Sequence, residues 1–388
     1  MTPAIRAFPD INAAEYFTRA KKDDPILSSS DFYLYASGRA ALYFAVLSAG
    51  LPRKSRFLLP GFHCGVEVEA VKRAGHEIDF YNIRKDLSID FKDLAKHITA
   101  ETRALLIIHY FGLPQDMIKV LQFCREKALL LFEDCAHSLY SSFQGTLTGK
   151  FGDFGIYSLR KTIGLPNGGG LLRNTSQFPH PDAGIKYFDL NILRSTVRSV
   201  LNNRAQRTSA QGMLARGILS FYERSHNLRW QGTTEAAEHD TPWHNQMAKV
   251  DYDHAISGLS RPLLRKESFN SIVKQRRENY LMLAEKLKDI KKVWAIPAPM
   301  ASDTCPLCYV VNVEKRDRLA AEMRHHGIHP FVFGATLHPS FARHRYPDIE
   351  FLSETLLGLP CHQQLKESEM LFIAKVFKEL AVNKPSDS

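Results

Sequence analysis

The sequence predicts an α/β fold: a large domain with a mostly parallel sheet flanked by helices, and a small C-terminal α/β domain. Short apolar runs such as Ala104–Ile108 and Leu129–Phe132 alternate with segments of helical character. These runs end in polar or small residues, as at the acids Glu133 and Asp134. Because ligands bind beyond the carboxyl ends of parallel strands, the residues that follow such runs are the first candidates for a site.

The chain of 388 residues is long enough for one large domain and one smaller domain. We place the large domain at residues 1–255 and the small domain at residues 256–388. Within the large domain, Ile11 to Lys22 is predicted to form a helix. A basic helical insertion is predicted at about residues 191–244, where arginines recur in the first half. It could meet a partner subunit, an anionic substrate or a membrane surface, or form an ordinary solvated face.

Composition places the chain among globular proteins, with 44% hydrophobic and 24% charged residues. It has no apolar run of about 18 residues, so no membrane span is predicted. Met1–Arg6 lacks the apolar core of a signal peptide, and the expected location is the cytoplasm. The net charge of +10 favours anionic ligands. No compact basic and aromatic motif indicates nucleic-acid binding.

The six cysteines are too few and too scattered to indicate a disulfide framework. Cys305 and Cys308 have the spacing of a redox or metal site. They lack a second pair, however, and precede the strand-like segment Tyr309–Val313. We therefore predict that both are structural or incidental, and we predict no metal site.

The stretch from Leu129 to Asn174 contains residues that form one chemical set. Asp134 ends an apolar run, Ser158 and Lys161 follow about two dozen residues later, and Gly168–Gly170 closes the stretch. An acid for the ring nitrogen, an amine for the aldehyde and a hydroxyl for the phosphate together suit pyridoxal 5'-phosphate. The set therefore predicts a cofactor site at this end of the sheet.

A predicted helix that begins near Ser37 supplies a second candidate for phosphate binding. Ser37, Gly38 and Arg39 precede a run of good helix formers. A helix N-terminus offers free N–H groups and a positive dipole end, which attract phosphate. The alternative is an ordinary helix cap.

These segments resemble the DegT/StrS-type sugar aminotransferases, a family of fold-type-I pyridoxal-phosphate enzymes. The resemblance is carried by Glu133–His137, Gly152–Leu159, the triple glycine and Leu357–Leu365, in that order along the chain. It implies amino transfer, expected from glutamate, to a keto group of a nucleotide-linked sugar. Such reactions serve polysaccharide or antibiotic sugar biosynthesis. The resemblance also implies a homodimer whose active sites share residues across the interface.

The resemblance also implies a role for each candidate residue. Asp134 is expected at the ring nitrogen, and His137 near the phenolic oxygen of the cofactor. His63 is expected to stack on the ring, with Phe62 and Cys64 in contention. The remaining expectations are phosphate binding by Ser37, Gly38, Arg39 and Ser158, and substrate or partner-subunit contacts by His109 and Asn245.

The reactive lysine is the point at which the sequence departs from the family. The family places its lysine five residues after the serine, where this chain has Ile163, and Lys161 comes at three. We predict that a local deletion has shifted the lysine to Lys161, since Lys150 lies in a surface turn. Otherwise the chain is a lysine-less relative, either a dehydratase or a non-catalytic binding protein. An aminotransferase with a substrate other than a nucleotide sugar is a further alternative.

Overall fold

The computed structural model describes residues 4–19, 24–180, 184–185, 189–206, 210–227, 252–290, 294–296 and 300–382. The last part of the predicted insertion, residues 228–244, and the candidate Asn245 lie outside these residues. In the described residues, no helix has both the length and the apolar character that a membrane crossing requires.

The strands belong to one large sheet, one small sheet and one short hairpin. The large sheet has the order β1-β9-β8-β5-β4-β2-β3, the small sheet has the order β10-β11-β12, and β6 pairs with β7. The bounds are β1 (Phe32–Tyr35), β2 (Arg56–Pro60), β3 (Glu77–Tyr81), β4 (Thr102–Ile108), β5 (Leu130–Asp134), β6 (Ser142–Phe143), β7 (Thr146–Leu147), β8 (Phe154–Ser158), β9 (Gly169–Arg173), β10 (Trp294–Ile296), β11 (Cys308–Asn312) and β12 (Leu356–Pro360).

The helices flank these sheets, and several short 3₁₀ turns connect them. The α-helices are α1 (Gly38–Ser48), α2 (Val66–Arg73), α3 (Phe91–Leu94), α4 (Met117–Lys127), α5 (Leu190–Ala205), α6 (Ala210–Asn227), α7 (Phe269–Leu287), α8 (Arg316–His325), α9 (Pro347–Thr355) and α10 (Glu367–Val382).

Five neighbouring strands of the large sheet, from β8 to β3, run parallel, and β9 runs antiparallel to β8. The centre of this sheet is covered on both faces. In β4, Ala104 to Ile107 are each fully buried, which explains why the strand is a continuous apolar run. The predicted mostly parallel sheet with flanking helices is confirmed.

The small antiparallel sheet packs with α7, α8 and α10 around a second apolar core. Leu283, Val311 and Phe377 are fully buried there. Ile5 joins this core from the other end of the chain, and its N–H donates to the Gly327 carbonyl at 2.8 Å. The domain boundary at residue 255 stays a prediction.

The predicted first helix is wrong, whereas the predicted helical start of the basic insertion is confirmed. In the described residues 11–19 of that segment, the helical structure is a 3₁₀ turn, Ala13–Phe17. It ends because the Thr18 backbone is extended and the Thr18 hydroxyl donates to the Glu15 carbonyl at 3.0 Å. In the insertion, α5 and α6 form two consecutive helices.

The triple glycine is required by close packing of the chain against β9. A Cβ on Gly169 would lie 2.0 Å from the Ser37 carbonyl oxygen, and one on Gly170 would lie 2.1 Å from the Phe32 ring. Real Cβ atoms do not approach backbone this closely. The glycines therefore let the start of α1 approach the end of β8.

Replacing Gly169 with alanine is expected to lower the free energy of unfolding by about 1–3 kcal/mol, because the α1 start must move. Gly217→Ala is the matched control, since a Cβ at this helical position meets nothing within 4 Å. It is expected to raise the free energy of unfolding by up to about 1 kcal/mol. Urea unfolding of both variants measures this difference. Equal stability of Gly169→Ala and the unmodified chain would contradict the packing explanation.

Candidate active site

The candidate residues gather at the carboxyl ends of the parallel strands. Asp134 ends β5 and Ser158 ends β8, and Lys161 closes the 3₁₀ turn Leu159–Lys161 directly after β8. His63 follows β2 by three residues. This edge of the sheet is where the fold brings ligand-binding side chains together.

The start of α1 lies against β8 and forms a candidate anion-binding cradle. Ser37 caps the helix, since its hydroxyl accepts a hydrogen bond from Ala40 N at 3.2 Å. A Cβ on Gly38 would lie 3.2 Å from the Tyr157 carbonyl oxygen and 3.4 Å from Ser158 Cβ. The first turn of α1 therefore lies against Ser158. Its N–H groups and positive dipole end suit a phosphate between them.

Two buried polar atoms beside this cradle have no hydrogen-bond partner among the described residues. They are Arg39 Nε and the Tyr252 hydroxyl. The charge of Arg39 acts on Tyr252, whose pKa is raised by burial. The Arg73 guanidinium lies 4.9 Å from the centre of the Tyr252 ring. Since buried polar groups are normally paired, these two indicate room for an anionic ligand. No local sequence pattern singled out Tyr252.

The Lys161 amine lies near titratable groups from two other parts of the chain, the segment Cys64–Glu67 and Asp134. Burial lowers its pKa, while the neighbouring Cys64, Asp134 and Glu67 oppose this shift and Arg160 adds to it. The amine also lies 5.6 Å from the centre of the Phe331 ring. An amine with a lowered pKa is a better nucleophile and proton acceptor at neutral pH. The predicted alternative, Lys150, is exposed, and its amine donates to the Pro25 carbonyl at 2.9 Å.

Asp134 is a nearly buried carboxyl group whose charge is only partly balanced. Burial raises its pKa to about 7, and the charge of Glu67 contributes to the rise. The Ala136 N–H, which donates to Oδ1 at 2.8 Å, and the Lys161 charge act in the opposite direction. A protonated ring nitrogen beside this carboxylate would stabilise its charged form. Asp134 therefore suits a position beside the protonated nitrogen of a pyridine ring.

Glu67 and Cys64 belong to this cluster, and sequence reasoning did not assign Glu67 a role. Glu67 is 3% exposed, and the Cys64 thiol donates to its Oε1 at 3.1 Å. The available signal was the register of α2, because Glu67 is four residues before the buried Val71 and shares its face. An acid on a buried helix face is expected to have a hydrogen-bonding or charged partner.

His63 lies at the predicted place, but both of its ring nitrogens bind within the chain. Nδ1 pairs with the Pro60 carbonyl at 3.1 Å, and Nε2 accepts from the His338 N–H at 3.1 Å. Its ring stacks on Phe80 at 5.3 Å between centroids. Of the three residues in contention for the stacking position, Cys64 is the one beside Lys161. Phe62 packs against Phe333.

His109 belongs to a separate network below the site. Its Nε2 pairs with Glu133 at 3.0 Å, and its Nδ1 accepts from the Gln115 N–H at 3.1 Å. Glu133 also accepts from the N–H groups of Gly149, Phe151 and Gly152 at 2.6–2.9 Å. Neighbouring strand residues project to opposite faces, so this network does not lie on the face of Asp134. The Cys135 thiol lies close to His109 and Glu133, so these three residues could together hold a metal ion. The hydrogen bonds above already engage the ring nitrogens of His109 and the carboxylate of Glu133 without a metal.

His137 is buried beside the aromatic wall of the site. Its ring stacks on Phe111 at 5.4 Å and meets the Phe333 ring edge at 4.8 Å. Its Nδ1 accepts from the Phe111 N–H at 3.4 Å. The structure thus brings together Asp134 and Lys161, and it gives His109 other partners.

The buried histidines give stability a distinct pH dependence. Burial lowers the pKa of His63 to about 4 and the pKa of His362 to about 3. The unfolded chain therefore binds more protons below about pH 6.5, and acid favours unfolding. Each histidine is expected to cost the fold on the order of 3 kcal/mol between pH 6.5 and 4. Asp134, with its raised pKa, acts oppositely by weakening the fold as pH rises from about 4 to 7.

Comparison of the unmodified chain with His362→Gln isolates the histidine contribution, since Asp134 is present in both. Urea unfolding at pH 7, 5.5 and 4 should show a smaller loss of stability in acid for the variant. Identical pH profiles would contradict the assignment of a buried neutral His362.

Residues 34–178 match the model of the DegT/DnrJ/EryC1/StrS aminotransferase family. The chain is 27% identical over 354 residues to a dTDP-4-dehydro-2,3,6-trideoxy-D-glucose 4-aminotransferase of Saccharopolyspora spinosa, covering 88% of this chain and 82% of that protein. It is 29% identical over 144 residues to GDP-perosamine synthase of Escherichia coli O157:H7, covering 36% of this chain and 39% of that protein.

Solved structures of similar fold cover nearly the whole chain. DesI, solved in the presence of its TDP-sugar product, has a TM-score of 0.67 at 16% identity and covers 99% of this chain and 94% of its own. A putative sugar aminotransferase, Spr1654 from Streptococcus pneumoniae, in its PLP form has a TM-score of 0.67 at 15% identity and covers 97% and 98%. The predicted fold class is confirmed. Over residues 34–178 the chain is therefore similar to the DegT/DnrJ/EryC1/StrS aminotransferase family.

Proposed function

We propose that this chain is a pyridoxal 5'-phosphate-dependent aminotransferase that acts on a keto group of a nucleotide-linked sugar, with glutamate as the expected amino donor. The observation that carries the proposal is the buried cluster in which the Lys161 amine and the Asp134 carboxyl lie together beside the α1 cradle. The names of the relatives, a dTDP-sugar 4-aminotransferase and a GDP-perosamine synthase, support the acceptor class.

The residues of the cluster fit this cofactor. The unpartnered Arg39 Nε, the α1 N-terminus and Ser158 would hold its phosphate. Asp134 would hold the proton of its ring nitrogen, and Lys161 would bind its aldehyde. When bound, the cofactor supplies an electron sink for the bond that is broken at the amino-donor carbon.

The chain supplies the proton chemistry and the exclusion of water. The Lys161 amine, with its lowered pKa, can take the α-proton of the amino donor and return it at a neighbouring position. Asp134 keeps its negative charge only where a cation faces it, which matches its role at a protonated ring. The buried rings of Phe331 and Phe333 close one side of the site to solvent.

We further propose that the enzyme acts in the cytoplasm as a homodimer with shared active sites. Support for an interface comes from α5 and α6, where Leu190, Val197 and Leu214 are 57%, 48% and 67% exposed. Asn245 as a contact to the partner subunit stays part of this proposal. His63, His137 and His109 remain candidates for cofactor or substrate contacts. Sedimentation at micromolar concentration distinguishes a dimer from a monomer.

The function is tested by adding pyridoxal 5'-phosphate and glutamate to the purified chain and screening keto-sugar nucleotides. The expected result is formation of 2-oxoglutarate together with an amino sugar nucleotide, both detected by mass spectrometry. Turnover of a keto substrate without a nucleotide would overturn the substrate class. Loss of water from the sugar without amino transfer would overturn the reaction, and absence of any turnover with every donor would indicate a binding protein.

A further inference from the structure

The turn that carries Lys161 is held by a buried arginine from α7. Arg276 is fully buried, and within the described part of the chain its guanidinium donates to oxygen atoms of uncharged groups. Its Nη2 donates to the carbonyl oxygens of Lys161 at 3.4 Å and of Thr162 at 3.3 Å. Arg276 is 115 residues away from Lys161 along the chain.

The same guanidinium is anchored on the side of the small antiparallel sheet. Its Nη1 donates to the carbonyl oxygens of Pro306 and Leu307, both at 3.1 Å, just before β11. Its Nε donates to Gln363 Oε1 at 2.9 Å. The guanidinium therefore joins the Lys161 turn to the segments that flank the small sheet.

Gln363 is a second side chain that binds the Lys161 turn. Its Nε2 donates to the Thr162 carbonyl at 3.0 Å and to Glu267 Oε2 at 2.8 Å. The Thr162 carbonyl thus accepts from both Arg276 and Gln363. Two side chains that also bind each other fix one peptide, and this geometry restricts the turn more than either bond alone.

Arg276 holds the main chain of the turn, because its hydrogen bonds to the turn end on carbonyl oxygens. The largest charge effects on the Lys161 amine come from Cys64, Asp134, Arg160 and Glu67. A 3₁₀ turn of three residues has little stability of its own, so its position depends on outside contacts. Lysine has a flexible four-carbon stem, and its reach is set by where its backbone is fixed. Misplacement of a reacting group by about 1 Å can cost a hundredfold in rate.

We propose that Arg276 is a positioning residue, which holds the Lys161 turn so that the amine reaches the aldehyde of the cofactor. This inference rests on the proposed function, because it concerns the covalent attachment step. In that step the Lys161 nitrogen forms a double bond to the aldehyde carbon of pyridoxal 5'-phosphate. The aldehyde oxygen leaves as one water molecule with the two hydrogens of the neutral amine.

The test compares two probes, pyridoxal 5'-phosphate and pyridoxamine 5'-phosphate, in Arg276→Gln and the unmodified chain. Only the first probe can react with Lys161, while both use the phosphate and ring contacts. Arg276→Gln is expected to slow the covalent capture of pyridoxal 5'-phosphate by roughly tenfold to a hundredfold. It is expected to bind pyridoxamine 5'-phosphate within about twofold of the unmodified chain. Arg276→Lys, which keeps some donors, should be intermediate.

Arg277→Gln is the matched control. Arg277 is the next residue on α7, and its Nη1 donates to the carbonyl oxygens of Ala301 at 2.6 Å and Thr304 at 2.9 Å. This variant should capture pyridoxal 5'-phosphate at the unmodified rate. Capture by Arg276→Gln at the unmodified rate would overturn the inference. Equal weakening of both probes would also overturn it, since that result indicates a structural role alone. If the unmodified chain binds neither probe, the proposed function itself fails.

Discussion

Replacing Lys161 with alanine is expected to abolish measurable amino transfer while the chain stays folded. The Lys161 amine is the only lysine amine near Asp134 among the described residues, and burial lowers its pKa. Its loss removes both the group that attaches the cofactor and the group that moves the α-proton. Loss of a positioned acid–base group alone costs about 10²–10⁴ in rate. Loss of the attachment adds to this cost.

The comparison for this variant is Lys150→Ala, which removes the other lysine of the stretch. Lys150 is exposed and donates to the Pro25 carbonyl, so its loss should leave the rate within about twofold. The rates are measured by single-turnover formation of 2-oxoglutarate after cofactor uptake has been checked by absorbance. Retained turnover in Lys161→Ala, or loss of turnover in Lys150→Ala, would refute the assignment of the reactive lysine.

Replacing Asp134 with asparagine should reduce turnover by about 10²–10³, the usual cost of losing one oriented electrostatic partner. Asparagine has nearly the same shape, and its oxygen can still accept from the Ala136 N–H. The change therefore removes the negative charge and keeps the local turn. Without that charge, the ring nitrogen of the cofactor loses its proton more readily and becomes a weaker electron sink.

Asp153→Asn provides a matched control, because Asp153 lies just before β8 and binds the main chain of β5. Asp153 Oδ2 accepts from Leu131 N at 2.8 Å near the opposite end of β5, so both variants replace an acid that accepts from a main-chain amide. Steady-state kcat should fall in Asp134→Asn and stay within about threefold in Asp153→Asn. A rate in Asp134→Asn that equals the unmodified rate would show that Asp134 does not face the ring nitrogen.

Most of the fold could be predicted from residues that specify local structure. Ser37 begins α1 as expected, since its capping hydroxyl and the helix formers after it act locally. The apolar run of β5 ends at Asp134, and the alternation of such runs with helices predicts the parallel sheet. The first helix failed because the Thr18 hydroxyl ends its segment after a single 3₁₀ turn.

The candidate site was only partly predictable, because several partners are distant in the sequence. The sequence predicts at which edge of the sheet a residue after a strand lies, but it does not predict where the side chain points. Thus His63 is bound by His338, 275 residues away, and His109 is bound by Glu133 on the other face of β5. No local pattern indicates that Arg276 reaches the Lys161 carbonyl. Such contacts are set by how the two sheets pack together.

The register of the lysine depended on a family pattern that this chain does not follow. Ile163, which stands at the family position, is 3% exposed and packs in an apolar cluster. Lys161, two residues earlier, has its amine beside Asp134.

The most direct measurement is borohydride reduction of the chain saturated with pyridoxal 5'-phosphate, followed by peptide mass spectrometry. Reduction fixes the cofactor to the nitrogen that holds it. The account predicts one pyridoxyl group per chain, located on Lys161. A label on Lys150, or an unmodified Lys161 in a chain that has bound the cofactor, would contradict it.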